Sequence, residues 1–143
     1  MSITSSTHSG LYGDKVSIEK WLRDNDIKGY DLKQIPDKPY WQIVIKGNDV
    51  NLIGFKNESL PDYIVFGEKI EGNFICSYSK LTSMKGFPKE VRGNFDISYS
   101  KISTLDNAPN LVERDFLAIG NSIKEDDIRQ RCHVTGEVYI AKT

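Results

Sequence analysis

At 143 residues, with 38% hydrophobic and 27% charged side chains, the chain has the length and usage of one globular domain with a modest core. Nineteen basic against twenty acidic residues leave a formal net charge of −1, which excludes a broad basic field for nucleic acid and an acidic surface that mimics DNA. No apolar run approaches the roughly 18 to 20 residues that span a bilayer, and MSITSSTHSGLYGDK lacks the basic, then apolar order of a secretory signal, so a soluble cytoplasmic protein without membrane contact is expected.

Residues 1–13 are rich in Ser, Thr and Gly, with little to bury, and read as a flexible tail before a single domain over 14–143. DKVSIEKWLRDND places Ile18, Trp21 and Leu22 on one helical face, with Asp14 or Ser17 able to cap its first amides. Gly29 supplies a stop and QIPDKP a turn. YWQIVIKGNDVNLIG then turns strand-like, with Ile43 and Ile45, then Val50 and Leu52, spaced by two; a hairpin through Gly47 and Asn48 is expected.

The chain then repeats itself. Gly72-Asn73-Phe74 recurs as Gly93-Asn94-Phe95, as Arg114-Asp115-Phe116 and, weakly, as Gly136-Glu137-Val138, at spacings of 21, 21 and 22 residues. A constant period of this size marks a solenoid, because a unit this short cannot close a core alone and must stack on its neighbours. Alignment brings together Phe74, Phe95 and Phe116; Cys76, Ile97 and Ala118; Leu81, Ile102 and Ile123; and Met84 with Leu105, all predicted to point inward. Ser79, Ser100 and Asn121 form a column of small hydrogen-bonding side chains, predicted to satisfy backbone groups where each coil turns.

Pro88 and Pro109 stand seven residues before the next Phe and Pro61 thirteen before, which predicts a six-residue insertion around DYIVFGEKI in the first coil. Repeats over 61–121 then need both ends covered: by the helix and hairpin of 14–60, and by 122–143, where SIKEDDIRQRC opens with Ser122 and Glu125 in capping-box spacing and VTGEVYI reads as strand.

The pattern F-x-x-S-x-S-x-(L/I)-(T/S)-(S/T)-(M/L), followed by Pro and in the first copy by V-x-G-N-F, resembles the degenerate leucine-rich repeats of small proteins from large tailed bacteriophages. IEKWLRDNDIKGY, IVIKGNDVNL and SIKEDDIRQRCHVTGEVYI stand in the order those proteins use, so the resemblance covers roughly residues 16 to 141. Family members typically have Asn where Ser79 and Ser100 stand here, and Gly-Ala-Pro where this chain has GFP and NAP. The resemblance implies an α+β, leucine-rich-repeat-like solenoid with a helix and hairpin cap at one end and a helix and strand cap at the other. It also implies a phage origin and a protein-binding role, and carries no catalytic residues.

Little in the sequence points to chemistry. His8 and His133 have no partner at ligand spacing, and Cys76 and Cys132, outside any C-x-x-C pair, read as free buried thiols. The acids of Glu125 to Asp127 read as a helix start. Neither a phosphate loop nor a G-x-S-x-G elbow is present. An enzyme, a cofactor and a metal are therefore not expected.

What remains is surface. Residues between the inward positions are predicted to face solvent, which puts Ile75, Ser77 and Tyr78 beside Asp96, Ser98 and Tyr99, with Leu117 and Ile119 in the third coil and Lys80 and Lys101 flanking. Aromatic, basic and outward apolar groups of this kind favour a protein contact patch, the alternative being that the tyrosines merely shield the coil edges. A non-enzymatic module acting on, and inhibiting, a host or phage protein is the leading expectation. A self-associating structural component of the virus is the alternative. Binding of single-stranded nucleic acid through Tyr78, Tyr99, Lys80 and Lys101 comes third, disfavoured by the net charge.

Overall fold

The computed structural model describes residues 14–38 and 40–140; the expected tail of residues 1–13 lies outside them. Helix α1, Lys15–Asp24, starts where Asp14 adopts an extended backbone and its carboxylate accepts the Ser17 N–H at 2.8 Å, satisfying an amide with no partner inside the helix. Ile18, Trp21 and Leu22 are its buried face, and the Trp21 ring meets Phe55 and Phe66 edge-on with centroids 6.1 and 6.5 Å away.

A strand not expected from the sequence follows. β1, Tyr30–Gln34, pairs antiparallel with β2, Trp41–Ile45, in a register running from Tyr30 opposite Ile45 to Gln34 opposite Trp41. The hairpin is therefore closed by the turn after Ile35, and the one expected through Gly47 and Asn48 does not form. Instead that Gly-Asn corner carries the chain into a second sheet, where β3, Val50–Asn51, lies parallel to β5, Phe74–Ile75, and the Val50 N–H reaches the Asn73 carbonyl at 2.8 Å.

From there the coils alternate between two sheets. β4 (Phe66–Ile70), β6 (Glu90–Val91), β8 (Leu111–Val112) and β10 (His133–Val134) extend the first sheet in the order β1-β2-β4-β6-β8-β10. β7 (Phe95–Asp96), β9 (Phe116–Leu117) and β11 (Val138–Tyr139) build the second, ordered β3-β5-β7-β9-β11. All pairs beyond the β1–β2 hairpin are parallel, giving a small mixed-sheet solenoid of about five turns with few helices. The insertion is absorbed where β2 meets β4: Ile43 opposes Phe66 and Ile45 opposes Ile70, so four steps on β4 match two on β2 across a bulge.

The core lies between the sheets. Phe74, Phe95 and Phe116 are fully buried in direct register, with ring centroids 6.1 and 4.9 Å apart along the column. Cys76, Ile97 and Ala118, then Leu81, Ile102 and Ile123, fill the next two columns.

The polar half of the Gly-Asn-Phe motif is a ladder of side-chain acceptors. Each backbone N–H in the series Asn73, Asn94, Asp115, Glu137 bonds the side-chain oxygen one coil back, on Asp49, Asn73, Asn94 and Asp115, at 2.7 to 3.0 Å. Ser79 and Ser100 accept the N–H two residues on, and Asn121 donates to both Ser100 Oγ and the Ile102 carbonyl, as expected of that column.

Helix α2, Glu125–Arg131, begins after Lys124, whose extended backbone supplies no side-chain cap, so the expected box from Ser122 is not made. Ile123 belongs to the inward column of Leu81 and Ile102, which holds the chain in the coil until Lys124 and leaves Ser122 too early to cap. No helix among the described residues is long and apolar enough to cross a membrane.

Candidate binding face

The second sheet carries the face on which the expected contact residues fall. β5, β7 and β9 hold Ile75, Asp96 and Leu117 in direct register, all half-buried. Two residues further on the expectation divides. Ser77 and Ser98, expected to face solvent, are buried: Ser98 Oγ accepts the Ile119 N–H at 3.0 Å, and the Ser98 N–H is held by Asp96 Oδ1 at 2.9 Å. Both serines are occupied inside the turn, and Asp96 is partly committed to it. Ile119 is half-buried, while Tyr78, Tyr99, Lys80 and Lys101 are exposed.

Strict alternation fails here because each strand is only two residues long and the chain turns at once, with Tyr78 and Tyr99 in the left-handed region at φ 54° and 57°. That backbone aims both rings outward together. Their centroids are 4.9 Å apart and their planes 16° from parallel, so the tyrosines stack as neighbours on successive coils. Exposure differs sharply within the pair, 66% for Tyr78 against 38% for Tyr99.

The reason is the next residue in the column. Gly54, Tyr78, Tyr99 and Gly120 occupy equivalent places on four successive coils, and all four have positive φ, the glycines at 74° and 81°. Tyr99 lies down over Gly120: a Cβ added there would stand 2.6 and 2.8 Å from the ring's Cδ1 and Cε1. At Gly54 an added Cβ would meet nothing within 4 Å.

Lysines follow the same columns. Lys56, Lys80 and Lys101 each stand two residues beyond Gly54, Tyr78 and Tyr99; all are exposed, and none joins an ion pair among the described residues. Lys56, together with the exposed Ile53 and Tyr139 on the first and last coils, extends the face beyond the residues expected from sequence. The offset between β3 and β5 is 24 residues, not 21, which hid the first coil's members; the signal that would have found them is the match of Asn48-Asp49-Val50 to Gly72-Asn73-Phe74.

Groups with chemical reactivity lie elsewhere. Burial pushes the Cys76 thiol far up, with the Asp96 charge adding to it, and burial pushes Cys132 up to about 11 against a hydrogen bond with the Val112 backbone. Both stay protonated at neutral pH. His133 is exposed, His8 lies outside the described residues, and among the described residues no cluster of three or more His, Cys, Asp or Glu is placed to hold a metal.

Comparison of the chain with protein-family models, with curated protein sequences and with solved structures finds no match to any of the three.

Proposed function

We propose that this chain is a non-enzymatic protein-interaction module, encoded by a tailed phage, that holds and inhibits a host or phage protein in the bacterial cytoplasm. Its repeats are of the leucine-rich type, with the α1 and β1–β2 segment and the α2 to β11 segment serving as end caps. The observation that carries this reading is the Tyr78–Tyr99 stack: two exposed aromatic rings fixed at left-handed positions on a hydrogen-bonded ladder, flanked by unpaired lysines. Tyrosines held rigid in this way lose little entropy on contact, and aromatic anchors dominate protein interfaces. Affinity capture from bacterial lysate, with and without infection, tests it by comparing wild type with Tyr78→Ala/Tyr99→Ala. A protein retained by wild type and lost by the folded variant is expected; recovery of the same proteins by both would sink the proposal.

A second reading, assembly of the chain with itself, is favoured by the polarity of the second sheet. Each coil donates N–H groups to the carbonyls of the next: Leu52 to Ile75, Cys76 to Asp96, Ile97 to Leu117 and Ala118 to Tyr139. The β11 end thus leaves donors and the β3 edge acceptors, a head-to-tail complement. Sedimentation across a hundredfold concentration range separates the two, a constant monomer arguing against assembly. Binding of single-stranded nucleic acid is the third, and its signature is an affinity that falls steeply with salt.

A further inference from the structure

We propose that the open face of Tyr78, over Gly54, is a slot for one aromatic side chain of the partner, and that carboxylates next to that side chain meet Lys56, Lys80 and Lys101. The inference rests on the protein-binding reading above and specifies the partner's chemistry. Four coils present one equivalent left-handed position, and only the middle two carry rings. The stack leans one way: Tyr99 covers Gly120, Tyr78 covers Tyr99, and the step is not repeated at Gly54, where the space a Cβ would enter is clear of described atoms to 4 Å. Tyr78 therefore ends the stack with one π face bare, which its greater exposure reflects. A ring laid there would stack on Tyr78 and extend the series by one member, in the offset parallel arrangement aromatic pairs favour.

Charge selects among flat ligands. On one side run the three exposed lysines. On the other, a cleft of about 500 Å3 reaches from Gly54 to the end of α1 and is bordered by Trp21, Asp24 and Asp26. A peptide can direct its carboxylates to the lysine side alone. A nucleic acid strand entering along the cleft would bring phosphates against the two aspartates, and only one base could stack, because Tyr99 is covered by Tyr78 on one side and Gly120 on the other. The slot fits a single aromatic residue in an acidic segment.

The test is an NMR titration of the isotopically labelled full chain with four probes: acetyl-Asp-Trp-Asp-amide, acetyl-Asp-Leu-Asp-amide, acetyl-Lys-Trp-Lys-amide and an oligothymidylate. Ring-current shifts at the Gly54 amide and the Tyr78 ring are expected with the acidic tryptophan peptide and absent with the leucine peptide. The basic peptide is expected to bind about tenfold or more weakly. Tyr78→Leu, which keeps apolar area without a π face, should weaken the acidic tryptophan peptide about tenfold. Gly54→Tyr, which fills the slot with a third ring at a backbone geometry Tyr78 and Tyr99 already adopt, should abolish the shifts; Lys56→Ala, which alters no backbone, should weaken binding by a smaller factor. Equal shifts from the leucine peptide, tighter binding of the oligothymidylate, or no shift at Gly54 with any peptide would overturn the slot. Capture that still depends on Tyr78 and Tyr99 after such a result would show that only the slot has failed.

Discussion

Replacing Phe95 with alanine strikes the solenoid at its middle. The side chain is fully buried on β7 and touches three other rings: Phe74 at 6.1 Å, Phe116 at 4.9 Å and Phe87 at 6.0 Å between centroids. Truncating a buried Phe costs about 3–5 kcal/mol. The upper half of that range applies here, because hydrogen-bonded ladders on either side hold β5 and β9 at fixed spacing and keep the cavity from collapsing. For a chain of this length about 4 kcal/mol corresponds to a fall in melting temperature of roughly 8–16 °C. Urea unfolding should be followed by far-ultraviolet circular dichroism and by tryptophan fluorescence, since Trp21 and Trp41 both report on the first coils. Coils that depend on nearest neighbours should uncouple when a middle one is weakened, so the two probes are expected to separate in the variant and coincide in wild type. A loss below about 1 kcal/mol would refute the packing of the Phe column.

Further outcomes follow from the polar ladder, the glycines and the thiols. Asn94→Ala removes the oxygen that accepts the Asp115 N–H at 3.0 Å and should cost about 1–3 kcal/mol in urea unfolding, whereas Asn94→Asp keeps an acceptor and should cost much less. Gly54→Ala should lose only the roughly 1–2 kcal/mol of left-handed strain, while Gly120→Ala also drives a methyl into the Tyr99 ring and should lose at least about 1 kcal/mol more; equal losses would contradict the one-sided lean of the stack. The folded state keeps Cys132 protonated up to about 11, against an ordinary value of 9.0, so the unfolded state releases that proton first. The thiol's contribution is therefore whole below pH 9 and declines between pH 9 and 11. Cys132→Val should flatten the fall in urea midpoint over that range, and an unchanged slope would remove Cys132 as its cause.

The period was plain in the sequence because Phe74, Phe95 and Phe116 stand 21 residues apart in near-identical surroundings, and stacking demands that regularity. The inward columns and the Ser79, Ser100 and Asn121 column followed from the same alignment. The hairpin was misplaced because a Gly-Asn pair marks a reversal of direction without saying what the next strand pairs with, and Val50 found its partner 24 residues on. Ser77 and Ser98 were put outside by counting alternate residues along strands that end after two. A left-handed tyrosine is uncommon, so neither Tyr78 nor Tyr99 betrays its geometry alone; Gly54 and Gly120 in the same column do, once the longer first offset is recognised.

The central claim is that the tyrosine face meets a protein. Site-specific photo-crosslinking in infected bacteria tests it most directly, with p-benzoylphenylalanine placed at position 78 in one variant and at position 68, an exposed strand position on the other sheet, in a second. One discrete protein adduct from position 78 that is missing from position 68 is the predicted result. Adducts only between copies of the chain, only with nucleic acid, or equally from both positions would contradict it.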